Sequence, residues 1–187
     1  LIKQFLSPDK KALDLSNQVL GDKGAMTLAE SKQLKRVKRL TLANNNISDD
    51  GAIAIANSEK FKNLSELDFY GNVISDDGVK ALAESPSMSN LQKLNLYGNL
   101  VEDEGAIAIA ESKTLSKLRY LFLTSNRVRK QGIEALKEAR CRTRLCHLHL
   151  DDLDDFIYQD DEEDDDQINS WDELEARSTE SLNDEED

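Results

Sequence analysis

The sequence predicts an α/β solenoid, a horseshoe arc with a parallel sheet on its concave face and helices on its convex face. Three observations lead there. A Leu-x-Leu triplet opens at Leu13, Leu40, Leu67, Leu94, Leu121 and Leu148, each 27 residues after the last, with Phe69 closing the third. Alternation around each triplet is the period-two signature of a short strand buried on one face. A glycine recurs at Gly24, Gly51, Gly78, Gly105 and Gly132, followed by stretches such as Ala52–Ala56 that are helical by propensity. One such unit cannot bury its own apolar face, whereas stacked copies share a continuous core.

The remaining columns fill in each unit as strand, turn, helix and return loop. After the strand come Gln18, Asn45, Asn72, Asn99 and Asn126, whose amides suit the backbone groups of a turn leaving the strand. Two residues further on lie Leu20, Ile47, Ile74, Val101 and Val128. Acidic residues before the glycine (Asp49, Asp50; Asp76, Asp77; Glu102, Asp103, Glu104) favour the positive end of a starting helix. Leu28, Ile55, Leu82, Ile109 and Leu136 supply the helix's buried face, and Val37, Leu64, Leu91, Leu118 and Leu145 lead into the next strand.

The run Leu91-Gln-Lys-Leu94-Asn-Leu96-Tyr-Gly-Asn99-Leu-Val101, then Gly105-Ala106, resembles the ribonuclease-inhibitor-like class of leucine-rich repeats. The resemblance spans roughly residues 11–150 and implies the fold rather than an activity. It divides the chain into 1–12, an N-terminal cap or remnant of a preceding repeat; 13–158, five full repeats with a terminal strand and cap; and 159–187, an acidic, largely disordered tail. Leu1, Ile2, Phe5 and Leu6 are the apolar residues of the first segment, and Leu153, Phe156 and Ile157 are expected to seal the core's far end. A chain starting at Leu1 is expected to be a fragment or processed form.

The residues flanking the strand leucines are expected to be exposed on the concave surface. They include Tyr70, Tyr97, Tyr120, Phe122, His147 and His149, all from the third unit onward. Exposed aromatics gathered in a concavity are the usual anchors of protein recognition, so these six form the candidate partner-binding patch. Two alternatives stay open: the tail's Tyr158 or Trp171 covers the patch, or the surface merely tolerates aromatics. Cys146, His147 and His149, with Cys141 nearby, invite a zinc reading, but His147 and His149 share a strand face that Cys146 does not. Neither a metal nor a cofactor is expected, nor a disulfide between the two cysteines.

The net charge of −13 argues against nucleic acid as a partner. It combines two unlike parts. Residues 151–187 carry 19 acidic groups and one base, a net of −18, so residues 1–150 carry +5. In the fifth unit Arg127, Arg129 and Lys130 break the acidic column, and Arg140, Arg142 and Arg144 follow later in that unit beside the point where the tail leaves; the six are the candidate docking site for it. Lys35, Arg36, Lys38 and Arg39 read as solvated cations or, alternatively, as a nuclear-import signal.

Within the tail, seven consecutive acids from Asp160 to Asp166 lack the glycine and alternation of a calcium loop. Ser170-Trp171-Asp172-Glu173 matches a capping box, and Ile168, Trp171 and Leu174 fall at the spacing of an amphipathic turn that docks on a partner or on the body. Ser170 and Ser181 have acids shortly after them, a context that acidophilic kinases accept. No apolar run is long enough to span a bilayer. Two cysteines are too few for a disulfide framework, which favours an intracellular, cytoplasmic setting, with the nucleus as an alternative.

The expected function is that of a monomeric, non-enzymatic interaction scaffold. It would bind a protein on the concave face and use the acidic tail for basic partners or autoinhibition. The array with its tail is also similar to the Ran-type GTPase activators, which are longer and whose catalytic positions do not transfer here by motif, and to the histone-binding acidic leucine-rich nuclear phosphoproteins.

Overall fold

Six three-residue strands form one parallel sheet: β1 (Ala12–Asp14), β2 (Arg39–Thr41), β3 (Glu66–Asp68), β4 (Lys93–Asn95), β5 (Tyr120–Phe122) and β6 (His147–His149). The structure is a computed structural model that describes residues 2–142 and 144–150. Strand order follows the chain, and the register pairs Leu13, Leu40, Leu67, Leu94, Leu121 and Leu148 in one line across the sheet. The spacing in the sequence is therefore the register of the sheet. Between strands run α1 (Gly21–Glu30), α2 (Asp49–Ala56), α3 (Asp76–Glu84), α4 (Asp103–Glu111) and α5 (Lys130–Arg142). This is an α/β leucine-rich solenoid, as expected from the repeat.

The core lies between sheet and helices, one layer per unit. The fourth unit's layer is Leu91, Leu94, Leu96, Val101, Ala106 and Ile109, all in a single buried cluster. A further column, which the pattern reading passed over, sits in the return loops. Leu34, Phe61 and Met88 occupy short 3-10 turns (Lys32–Leu34, Glu59–Phe61, Pro86–Met88) and are fully buried. These turns close the core on the side where each helix hands back to the next strand.

Three polar ladders join unit to unit. In the first, Asn72 donates through Nδ2 to Leu42 O (3.0 Å) in the preceding unit and Phe69 O (2.9 Å) in its own. Its Oδ1 accepts from the Asn45 and Ile47 N–H groups at 3.1 and 2.9 Å. Asn45, Asn99 and Asn126 repeat the scheme. Each amide therefore spans two turns, whereas the pattern alone suggested only one.

In the second ladder each aspartate caps the helix of the following unit. Asp49 Oδ1 accepts from Ser75 N (2.7 Å) and Gly78 N (3.0 Å), and Oδ2 from the Ser75 hydroxyl. Asp22 and Asp103 do the same for α2 and α5. The glycine column follows from this contact. A Cβ at Gly78 would lie 2.6 Å from Asp49 Oδ1, 2.8 Å from Ile74 Cγ2 and 3.1 Å from Ala52 Cβ. The fifth unit places Lys130 where the others have the capping aspartate, and the sixth has Gln159 at the glycine position. With no following glycine–helix signal to cap, the acid loses its role, which accounts for that break in the acidic column without invoking the tail.

The third ladder consists of Ser58, Ser85 and Ser112. Their hydroxyls donate to Ala29 O, Ala56 O and Ala83 O, carbonyls in the last turns of the preceding helices, which lack intrahelical partners. At the N-terminal end, Leu6 bridges Leu13 in antiparallel sense, and Ile2, Phe5 and Leu6 pack on the core. Leu1, Leu153, Phe156, Ile157, Tyr158 and the tail with Ile168, Trp171, Leu174, Ser170 and Ser181 lie outside the described residues.

Candidate partner-binding face

Side chains before and after each strand leucine project from the sheet face opposite the helices. Strands about 4.8 Å apart bring equivalent positions of neighbouring units into contact, so each column becomes a stack. Tyr70 and Tyr97 stack with ring centroids 5.1 Å apart and planes 24° from parallel. Tyr120 and His147 stack at 4.5 Å and 2°, and Phe122 and His149 at 4.5 Å and 9°. All six residues of the candidate patch are therefore paired with one another across adjacent units, between the third and the sixth.

That stacking overturns the expectation of general exposure. Tyr70 and Tyr97 are 39% and 36% exposed, but Tyr120, Phe122, His147 and His149 are half-buried. Asp68, Asn95 and Lys93, in the same flanking columns, are buried outright. Asp68 and Asn95 turn back to accept from the Tyr70 and Tyr97 N–H groups at 2.8 and 3.0 Å, holding the turn that presents each tyrosine. The Lys93 ammonium lies 5.3 Å from the centre of the Tyr120 ring, and the Arg119 guanidinium 5.8 Å away. Alternation correctly separates these side chains from the core but is blind to what the next strand covers.

The electrostatics follow from the same burial. Loss of solvent pushes the Lys93 ammonium's pKa down, an effect opposed by Glu66 and reinforced by Arg39 and Arg119. Arg39 and Glu66 pair at 2.8 Å on the same column. Burial also lowers both histidines, with Arg119 and Arg140 adding to the effect at His147, and His147 adding to it at His149. Neutral imidazoles stack without the cost of burying charge.

The cations of the fifth unit are partly engaged locally. Arg127 lies 3.6 Å from Glu102, and Lys130 is 3.9 Å from Glu134. Arg129, Arg140 and Arg144 are exposed, and the side chain of Arg142 lies outside the described residues. Cys146 is an exposed free thiol, and its Sγ–H donates to Arg144 O at 3.1 Å. Among the described residues no group of three or more His, Cys, Asp or Glu side chains is placed to hold a metal ion.

The model of the family described as Leucine Rich repeat matches residues 37–56, 62–83 and 87–110, one match to each of three successive units. Those three units match the leucine-rich-repeat pattern. No curated protein matches the chain. Among solved structures, the leucine-rich chain is similar to leiomodin-1 actin-binding site 2, at 17% identity and a TM-score of 0.45, covering 79% of this chain and 73% of that one. It is also similar to an internalin (InlF) from Listeria monocytogenes, at 24% identity and a TM-score of 0.40, covering 72% and 38%. Among the described residues of the repeat array, no helix is long and apolar enough to cross a membrane.

Proposed function

We propose that the chain is a non-enzymatic interaction scaffold of the ribonuclease-inhibitor-like class, binding a protein partner on the concave face of its sheet. The observation that carries this reading is the tract of stacked aromatics over four consecutive units: Tyr70 on Tyr97, then Tyr120 on His147 and Phe122 on His149. Rings fixed by stacking lose little side-chain entropy on binding, and aromatic surface of that kind is where interface energy concentrates. The histidines are taken up in stacks, which favours recognition over proton transfer. The −18 tail contributes attraction for basic partners, or shields the body by docking on Arg129, Arg140 and Arg144. An exposed free thiol at Cys146 fits a reducing, intracellular compartment.

The test is partner capture by the full chain, by Tyr97→Ala with Phe122→Ala, and by a chain ending at Tyr158. Loss of captured proteins with the aromatic variant supports the reading, and an unaltered set counts against it. Unchanged salt sensitivity without the tail removes the tail from the mechanism. Accelerated GTP hydrolysis by a Ran-type GTPase would favour the activator alternative instead.

A further inference from the structure

The strand-to-helix loops of the third and fourth units differ from their neighbours at three columns at once. They carry Tyr70, Gly71 and Val73, then Tyr97, Gly98 and Leu100, where the second unit has Ala43, Asn44 and Asn46 and the fifth has Thr124, Ser125 and Arg127. None of the four large apolar side chains belongs to the core. Val73 is 38% exposed, about as much as each of the two tyrosines, and Leu100 is half-buried.

The chain is left-handed at the middle column in each of the first five units, at Asn17, Asn44, Gly71, Gly98 and Ser125. Only the third and fourth units meet that demand with glycine: the Asn44 side chain packs over Gly71, whereas Gly98 is left open. The nearest atoms to a Cβ at Gly98 would be the Gly71 backbone, 3.7 Å away, so nothing else fills that space. The result is a bounded apolar shelf two units wide, flanked by small or polar side chains.

Each loop runs directly into the first turn of a helix, where the acids divide into two sets. Asp49 and Asp76 are consumed in capping the next helix. The following column, Asp50, Asp77 and Glu104, is exposed, and the same position holds Lys23 in the first unit and Gln131 in the fifth. Glu104 takes the Lys80 ammonium at 2.6 Å, whereas Asp50 and Asp77 make no capping bond. A body of net charge +5 thus carries a local row of exposed acids in the helix turns that follow these loops.

We infer that this rim takes a basic amphipathic segment of a protein partner. Apolar side chains of the segment lie against Tyr70, Val73, Tyr97 and Leu100, and its Lys or Arg residues face Asp50 and Asp77. The inference rests on the partner-binding reading above but moves its centre from the strands to the loop edge.

The test uses the full chain with a synthetic amphipathic helix of leucine and lysine as probe, and its leucine–glutamate counterpart as control. The acidic tail also attracts lysine, so affinities are compared between variants that all retain it. Val73→Ser with Leu100→Ser weakens lysine-peptide binding about tenfold or more, and Asp50→Lys with Asp77→Lys weakens it about threefold or more. In methyl NMR, the Val73 and Leu100 resonances move on titration. An affinity unchanged by either double variant, static methyls, or equal binding of the glutamate peptide overturns the inference. Val19→Ser, at the same loop column of the first unit and 85% exposed, leaves the peptide affinity unchanged, whereas Tyr120→Ala with Phe122→Ala probes the strand face. If that pair alone weakens it, the rim assignment fails while the wider partner-binding reading stands.

Discussion

Replacing Asn72 with alanine tests whether the asparagine ladder, rather than the leucine columns alone, couples one unit to the next. Asn72 is 5% exposed and makes four well-formed hydrogen bonds, to Leu42 O, Phe69 O, Asn45 N and Ile47 N. At about 1 kcal/mol net for each, their loss amounts to about 4 kcal/mol. Water entering the space left by the amide recovers part of this, and backbone groups left bare add to it, so a loss of about 3–5 kcal/mol is expected. Gln18 occupies the same column in the first unit but is exposed, its Nε2 donating only to Ser16 O. Gln18→Ala should cost less than about 0.5 kcal/mol. Urea unfolding measures both, and because solenoid stability is a sum of neighbour terms, a lower slope for Asn72→Ala would report uncoupling of the array. Amide exchange locates the effect, since the Asn45 and Ile47 N–H groups should lose protection first. A cost below about 1 kcal/mol at Asn72, or equal costs at both positions, would refute the reasoning.

Gly78→Ala drives a Cβ to within 2.6 Å of Asp49 Oδ1 and 2.8 Å of Ile74 Cγ2, and should lower stability by about 2–3 kcal/mol in thermal unfolding. A change under about 1 kcal/mol would mean the helices can move apart freely. Asp103→Ala removes the acceptor for the Arg129 and Gly132 N–H groups and should cost about 1–2 kcal/mol. Lys130→Ala, at the equivalent position one unit later, should stay within about 0.5 kcal/mol, and denaturation midpoints of the two variants distinguish them. Burial holds His147 and His149 below their ordinary 6.5, so the unfolded chain binds protons more readily than the folded one. Their contribution is fully present above pH 6.5 and is lost as pH falls below it. The stability difference between pH 7.5 and 5.5 should shrink in His147→Gln with His149→Gln, and an unchanged difference places the pH dependence elsewhere.

The repeat was legible because each column answers a demand made within one unit. A strand with one buried face must alternate, as at Leu94 and Leu96, and an amphipathic helix must return an apolar residue such as Ile109 to the core. The serine ladder and the buried column at Leu34, Phe61 and Met88 were equally periodic but lay in the return loops. There neither a period of two nor one of 3.6 applies. The candidate face was half legible: alternation placed Tyr70 and Tyr97 on the outer side of the sheet, but it also promised exposure for Lys93, Asp68 and Asn95, which are buried.

The sequence by itself determined the number of strands, their register, the position of each helix and the separation of a +5 body from a −18 tail. These are properties of spacing and composition. The tertiary structure alone decided which polar groups belong to two units at once. It turned Asn72 and Asp49 into links to neighbouring units, paired Tyr120 with His147, and left the loops of Tyr70 and Tyr97 as a bounded apolar rim. The physical reason is stacking: a side chain's exposure and hydrogen-bond partners in a solenoid depend on the residue one repeat away, about 4.8 Å off in space.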